Sequence, residues 1–369
     1  MVGRAATPRD ESAATPRDSS AATPRVGAVR RLAVPVLGGA VSLAAVVVAM
    51  QGIDLSRTLA LLGGVRLGPL GLAALALVIQ LGVRALRWSL LLPDGPHGRV
   101  AARRLVPVVL IGYLGNAVLP ARLGDPIRAV LVGRRETIPA SSAFGSVVLE
   151  RAIDTLTLAL IAAPAAALAG APSWAIQTAL LVAILAGAVV LIVQTPLPAA
   201  ALARAAAWVR PTWRSWVDRA SRFLAAMDGR GRRRALAGAG GLSVIAWLLD
   251  GVTYWAVAQS LGVDLSPAGA MFVAGITVLG TAIPSAPGYI GTFELAASAA
   301  ARSLGIPPDQ ALAFALLVHA LTVLPLALGG AASLVWIGVR FGDLAETAGR
   351  TDEPVGAVPT PGRATGTPG

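Results

Sequence analysis

The stretch Gly115–Asp154, GNAVLPARLGDPIRAVLVGRRETIPASSAFGSVVLERAID, decides how this chain is read. Its surroundings are very apolar, yet it carries Arg122, Asp125, Arg128, Glu150, Arg151 and Asp154. A charged side chain at the centre of a membrane helix costs about 2.5–3.5 kcal/mol on insertion scales, so such residues face a polar interior or a pathway. A fainter copy of its first half follows near the end of the chain, as GTAIPSAPGYIGTFE from Gly280 to Glu294. Two broken apolar segments in corresponding positions are the pattern of a transporter built from internal repeats.

Composition sets the same frame. Of 369 residues, 55% are hydrophobic and 14% charged, against about a quarter charged in soluble domains. A multi-pass membrane protein follows. The net charge of +12 comes entirely from arginines. They cluster between apolar runs, as cytoplasmic loops require, which is a better account than a nucleic-acid-binding face. With no cysteine, disulfides, thiolate metal sites and redox motifs are excluded. His97 and His319 are too few for a histidine metal centre. No metal and no cofactor is expected.

Outward from the central stretch, residues 1–31 repeat Ala-Thr-Pro-Arg octads and are predicted to be a disordered cytoplasmic tail. Six full spans are expected: Leu32–Met50, Leu67–Leu92, Ala143–Leu168, Trp174–Val193, Leu236–Leu261 and Ala311–Val339. Arg84, Arg87, Arg99, Arg103 and Arg104 are expected on the cytoplasmic side, with Trp88 among them at the interface. Leu105–Leu119 stops at Pro120, and Ile127–Val132 is apolar again between Arg-rich flanks. That predicts a re-entrant hairpin with its tip at Pro120–Asp125 inside the membrane. Irregular backbone at that depth is tolerated only under protein cover or beside water.

Residues 195–235 hold nine arginines with Trp208, Trp213 and Trp216 between them, and are predicted to lie in the cytoplasmic interface. Ala268–Ile283 runs into Pro284, and Thr292–Leu304 follows, predicting a second hairpin of opposite orientation. Residues 341–369 are expected to be a disordered cytoplasmic tail. The fold expected is therefore all-α: about six spans plus two opposed hairpins in a transmembrane domain of residues 32–340, compatible with an inverted repeat. Both termini would face the cytoplasm.

Each charged residue has two readings. Arg122, at the first hairpin tip, presents a fork that suits a phosphate or an internal carboxylate. Asp125, between Gly124 and Pro126, is a helix-cap candidate whose helix start also suits an anion. Arg128 lies one turn in. Glu150 and Asp154 share a helix face, and Arg151 is spaced for a pair with Asp154. They form a brace between hairpin and helix or a substrate or proton site. Glu294 complements a helix start and is also a coupling candidate. Asp250 and His319 stand alone in spanning helices, as interhelical hydrogen-bonders or functional groups. Pro120, Gly124, Pro284, Pro287, Gly288 and Gly291 read as backbone breakers.

At NAVLPARLGDPIR (Asn116–Arg128), VVLERAIDTL (Val147–Leu156) and PSAPGYIGTFE (Pro284–Glu294) the sequence resembles the lysylphosphatidylglycerol synthase transmembrane family, flippase-like integral membrane proteins. The resemblance covers residues 32–340. It implies a protein that moves modified or glycosylated lipids between leaflets, with Arg122, Asp125, Glu150, Arg151, Asp154 and Glu294 at the family's polar positions. This chain departs from the family at three places: Asp125 replaces a more usual Glu, Tyr289 a common second Gly, and His319 an expected Arg.

The function expected is a lipid flippase or transporter of the cytoplasmic membrane, acting on a phosphate-containing modified or polyprenyl-linked lipid and not an enzyme. A small-solute transporter and a non-catalytic partner subunit of cell-envelope assembly are the alternatives, ahead of a lipid-modifying enzyme. The expected partners are a lipid with an anionic headgroup and cell-envelope biosynthesis enzymes, not nucleic acid.

Overall fold

The computed structural model describes residues 25–119, 123–193, 195, 197–206, 208, 213–227, 233–283 and 285–339. Among these it is built of helices: α1 (Arg25–Ala49), α2 (Leu55–Gly63), α3 (Leu67–Leu91), α4 (Ala102–Val118), α5 (Gly124–Glu136), α6 (Ala140–Leu168), α7 (Ser173–Val193), α8 (Leu197–Ala206), α9 (Arg214–Met227), α10 (Arg233–Leu261), α11 (Pro267–Gly280), α12 (Thr292–Ser303) and α13 (Pro308–Ile337), with a short 3-10 turn at Pro287–Tyr289. The chain is an all-α polytopic membrane protein.

Six of these helices, α1, α3, α6, α7, α10 and α13, have 21 residues or more. At about 1.5 Å per residue each is long enough to cross roughly 30 Å of hydrocarbon. They overlie the six predicted segments, and four of them, α3, α7, α10 and α13, are also apolar enough to span. Their outer faces are apolar and bare, as with Val78 on α3, Ile184 and Leu191 on α7, and Leu328 on α13. Between them stand the two broken pairs, α4/α5 and α11/α12, whose members have 17, 13, 14 and 12 residues.

Each broken pair closes on a small residue. A Cβ on Gly115 would sit 2.8 Å from the Gly124 Cα, and one on Gly124 would run into the Gly112 carbonyl oxygen. In the second pair, a Cβ on Gly280 would collide with Ala296. Small residues also line the contacts of α10, α11, α12 and α13, where Ala256, Ala270, Ala274, Ala297, Ala311 and Ala315 are buried. In membranes this is how helices approach closely without a hydrophobic driving force between them.

The helix starting at Gly124 is not capped by Asp125, as the Gly-Asp-Pro signal suggested. Asn116 does that work, its Oδ1 accepting from the Gly124 N–H at 2.9 Å. Asp125 lies in the first turn and faces α6 instead. Pro120 and Arg122 fall outside the described residues, as does Pro284.

At the second break, Gly288 and Gly291 have φ of 72° and 90°, which glycine adopts freely. Tyr289, at φ 62°, adopts the same left-handed region with a side chain. Tyr289 thus stands at a position where glycine is sterically preferred. The turn is tied to α1 by a 2.7 Å bond from the Ala286 N–H to Ser42 Oγ. It also meets the end of α4, since a Cβ on Gly288 would lie 3.4 Å from the Ala117 carbonyl oxygen. The two breaks therefore converge.

Several boundaries differ from expectation. Helix α1 begins at Arg25, ahead of Leu32; residues 1–24 and 340–369 lie outside the described residues. The loop after α1 contains α2, started by Asp54, whose carboxylate accepts from the Ser56 and Arg57 N–H groups. Within 195–235, α8 and α9 are helical, and Trp208, Trp213 and Trp216 are exposed. α9 packs on α6, with Phe144 and Phe223 centroids 6.0 Å apart.

Candidate functional site

Two polar clusters are enclosed by these helices. The larger one joins α3, α5, α6 and α10. Arg87, fully buried, donates through both terminal nitrogens to the two carboxylate oxygens of Asp154, through Nη2 to Glu150 Oε1 at 2.5 Å, and through Nη1 to Ser243 Oγ at 3.0 Å. Glu150 offers its other oxygen to Arg128 Nη2 at 2.9 Å, so guanidiniums from α3 and α5 clamp one carboxylate of α6. Arg84, one turn before Arg87, donates to Asp250 at 2.9 Å and lies 3.9 Å from Asp154. Arg151 closes the cluster. Its Nε and Nη2 meet the two oxygens of Asp125 at 3.1 and 2.9 Å, a fork-to-fork pair.

Aromatic rings support the guanidiniums. Arg128 lies 4.8 Å from the centroid of the Trp88 ring, and Arg84 5.5 Å from that of Trp247. Trp88 is itself buried, with Nε1 donating to Ser146 Oγ at 3.1 Å. It is not the interfacial residue expected, because α3 turns this face toward α6.

The described part of the cluster contains four guanidiniums (Arg84, Arg87, Arg128, Arg151) and four carboxylates (Asp125, Glu150, Asp154, Asp250). Balanced pairing is the condition for holding so many charges away from water. Exposure is graded. The side chains of Arg87, Glu150, Asp154 and Arg128 are at most 5% exposed, Asp125 is 18% and Arg151 41% exposed. Arg151–Asp125 is thus the mouth of the cluster and Arg87–Asp154 its floor. At the mouth, Arg128 Nε also lies 3.2 Å from Asp125 without a hydrogen bond between them.

The second cluster joins α12, α13 and the 3-10 turn. Glu294 Oε2 accepts from the Gly291 N–H at 2.7 Å, the helix-start role expected of it. Its Oε1 lies 2.5 Å from His319 Nδ1, and His319 Nε2 lies 2.7 Å from the Gly288 carbonyl oxygen. The imidazole stacks on Phe293, ring centroids 4.3 Å apart and 13° from parallel.

The structure gathers six of the nine predicted site residues, Asp125, Arg128, Glu150, Arg151, Asp154 and Asp250, into the first cluster, and Glu294 with His319 into the second. Arg122 lies outside the described residues. Asp250 and His319 each have an interhelical partner, Arg84 on α3 and Glu294 on α12. Arg151 is paired with Asp125, with Asp154 only at 4.0 Å. The residues missed were Arg84 and Arg87, read as cytoplasmic flank. Their signal was the i, i+3 spacing on one face of a continuous apolar helix, which predicts two cations sharing one interior.

A family comparison fits this arrangement, since the model of the lysylphosphatidylglycerol synthase TM region matches residues 36–330. The chain belongs to that family. Both clusters and both broken pairs fall inside the matched region. The chain is also 28% identical over 330 residues to the glycosyltransferase AglD of Haloferax volcanii, covering 78% of this chain and 52% of that protein. It therefore spans about half the length of the curated relative it matches. This similarity overturns the expectation that the chain is not an enzyme, because the relative is named for a catalytic activity.

Proposed function

We propose that this family member binds the phosphate of a modified or polyprenyl-linked lipid at the mouth of the larger cluster and moves it between leaflets of the cytoplasmic membrane. The observation that carries this reading is Arg151, a half-exposed arginine fork at the edge of a buried, charge-balanced network beside the first broken segment. Asp125 holds the place of the ligand: a carboxylate seated fork-to-fork on Arg151 occupies the geometry a phosphate would take. Arg128 Nε, 3.2 Å from Asp125, stands ready to receive that carboxylate when it leaves. The Nε donors of Arg84 and Arg87, buried without a hydrogen-bond partner among the described residues, add capacity for ligand or water oxygens deeper in. The broken pairs act as opposed re-entrant hairpins, with both termini cytoplasmic, and their convergence supplies an irregular, polar interior at membrane depth.

Leaflet exchange of fluorescent lipids in proteoliposomes tests this. Wild type accelerates exchange of a phosphate-bearing or polyprenyl-linked lipid, and Arg151→Ala and Glu150→Gln, inserted and folded, lose it. Exchange no faster than in protein-free vesicles, across both lipid classes, overturns the reading. A second reading, favoured by the name of the relative, is sugar transfer to or from a lipid-linked acceptor at the same mouth. Transfer of labelled sugar to polyprenyl phosphate by the purified protein, without leaflet exchange, would replace the first reading with the second.

A further inference from the structure

Outside the larger cluster, the strongest unassigned feature is the arrangement of His319. Both of its ring nitrogens face acceptors: Nε2 faces the Gly288 carbonyl at 2.7 Å, and Nδ1 the Glu294 carboxylate at 2.5 Å. A carbonyl oxygen never donates, so Nε2 must carry a hydrogen. The contact between Nδ1 and Oε1 then needs a second proton, on the imidazole or on the carboxyl. We propose that Glu294 and His319 form a proton-binding site that latches the Pro287–Tyr289 turn to α13 and couples movement of that turn to a proton.

The chemistry of losing that proton fixes the direction. With one proton left, the neutral imidazole has a single N–H for two acceptors. Donating to the charged carboxylate is the stronger bond. Nε2 then presents a lone pair to the Gly288 carbonyl, and the turn loses its tie to α13. Protonation closes the latch and deprotonation releases it. Other bonds on the turn include Ser42 Oγ on the Ala286 N–H, Glu294 Oε2 on the Gly291 N–H, and the Thr292 hydroxyl donating to the Tyr289 carbonyl at 3.2 Å. Its left-handed Tyr289 gives it a reason to relax once freed.

The other titratable groups on the surrounding elements are placed elsewhere. Arg25, Arg30 and Arg31 of α1 precede Leu32, and Ser42 is what that helix gives the turn. Arg57 of α2 pairs with Asp309, at the start of α13. Arg103 and Arg104 begin α4, whose far end meets the turn, and Tyr113 of α4 lies by Arg84. On α10, Arg233 and Arg234 open the helix, Asp250 pairs with Arg84, and Tyr254 stacks edge-on with Phe314. α11 carries no charged residue, and Arg302 lies in the last turn of α12. Tyr289 sits on the turn itself. Among the described residues, Glu294 and His319 therefore share their proton with no third charged partner.

The coupling rests on the transport reading, but the proton site does not. The test is hydrogen exchange of the Tyr289 and Gly291 amides in the full chain in nanodiscs from pH 5 to pH 9, corrected for intrinsic rates. Wild type shows a step to faster exchange with rising pH, about tenfold or more for loss of one charge-assisted bond. Glu294→Gln stays closed throughout: its amide donates to Nδ1, its carbonyl accepts from Gly291, and no titrating proton is needed. His319→Phe, which keeps the stack on Phe293, is open at every pH. A flat wild-type profile, or an unchanged step in Glu294→Gln, overturns the site. A second arm imposes a pH gradient during lipid exchange: the wild-type rate responds and that of Glu294→Gln does not. Equal responses overturn the coupling. A pH step without exchange of any lipid leaves the proton site standing and removes the transport reading instead.

Discussion

Replacing Arg87 by methionine should be among the most damaging single changes in this chain. Arg87 is fully buried and serves two carboxylates, with bonds to Asp154, Glu150 and Ser243. Without it, Asp154 keeps only the long contacts to Arg84 at 3.9 Å and Arg151 at 4.0 Å, and Glu150 keeps Arg128. Removing one partner of a buried ion pair costs about 3–5 kcal/mol, or roughly two to nearly four powers of ten in the unfolding equilibrium. Replacing both partners by apolar groups is frequently neutral or better, so Arg87→Met/Asp154→Leu should recover most of the loss. SDS-driven unfolding followed by tryptophan fluorescence, run as a double-mutant cycle, measures both. Trp88 and Trp247 sit beside the cluster and report on it directly. An Arg87→Met variant within about 1 kcal/mol of wild type would refute the view that the network is built around this guanidinium. A double variant less stable than the single one would refute the pairing.

Gly124→Ala drives a methyl into the backbone of α4 at Gly112, where no side chain can yield. It should lose about 1–3 kcal/mol, read as a lower unfolding midpoint. Arg151→Lys keeps the charge and loses the fork. Binding of a phosphate-headgroup lipid in nanodiscs should weaken about tenfold, with the unfolding midpoint nearly unchanged because the residue is half exposed. The Asp54 carboxyl is held below its ordinary range by the Ser56 hydroxyl and the Arg57 N–H. A carboxyl lowered in the folded state contributes stability that is present above its unfolded value and lost as pH falls through the folded one. Intrinsic-rate-corrected exchange at the Ser56 and Arg57 amides should therefore rise below about pH 4, and Asp54→Asn should flatten that rise.

The spans were legible because about twenty apolar residues admit few structures other than a membrane helix, and Arg-rich boundaries separate them. The two breaks were legible because Pro120, Pro287, Gly288 and Gly291 interrupt apolar runs too short to span. Pairing was not. Spacing along α6 suggested Arg151 with Asp154, yet Arg151 finds a fork-to-fork partner on α5. A bidentate interhelical pair outcompetes a longer contact within one helix. Arg87 was hidden for a related reason: near the end of a span, a sequence cannot distinguish a cation reaching water from one turned inward. What turns it inward is the presence of Glu150 and Asp154 on one face of α6, a complementarity that exists only once the helices are assembled.

That complementarity also constrains how an anion could be handled. At rest the described part of the larger cluster carries equal numbers of positive and negative groups, so it exerts no large net field on a headgroup. On the proposed reading, selectivity then comes from exchange at a particular seat. Asp125, on the same reading, moves from Arg151 toward Arg128, whose Nε lies 3.2 Å away and is not hydrogen-bonded. An arriving phosphate would then leave the described part of the site with a surplus of negative charge, which a low-dielectric interior does not tolerate for long. The surplus favours a short residence and a compensating positive charge, brought by the headgroup or by a proton. On the proposed reading, the Glu294–His319 pair at the second break, which converges on the first, would supply such a proton.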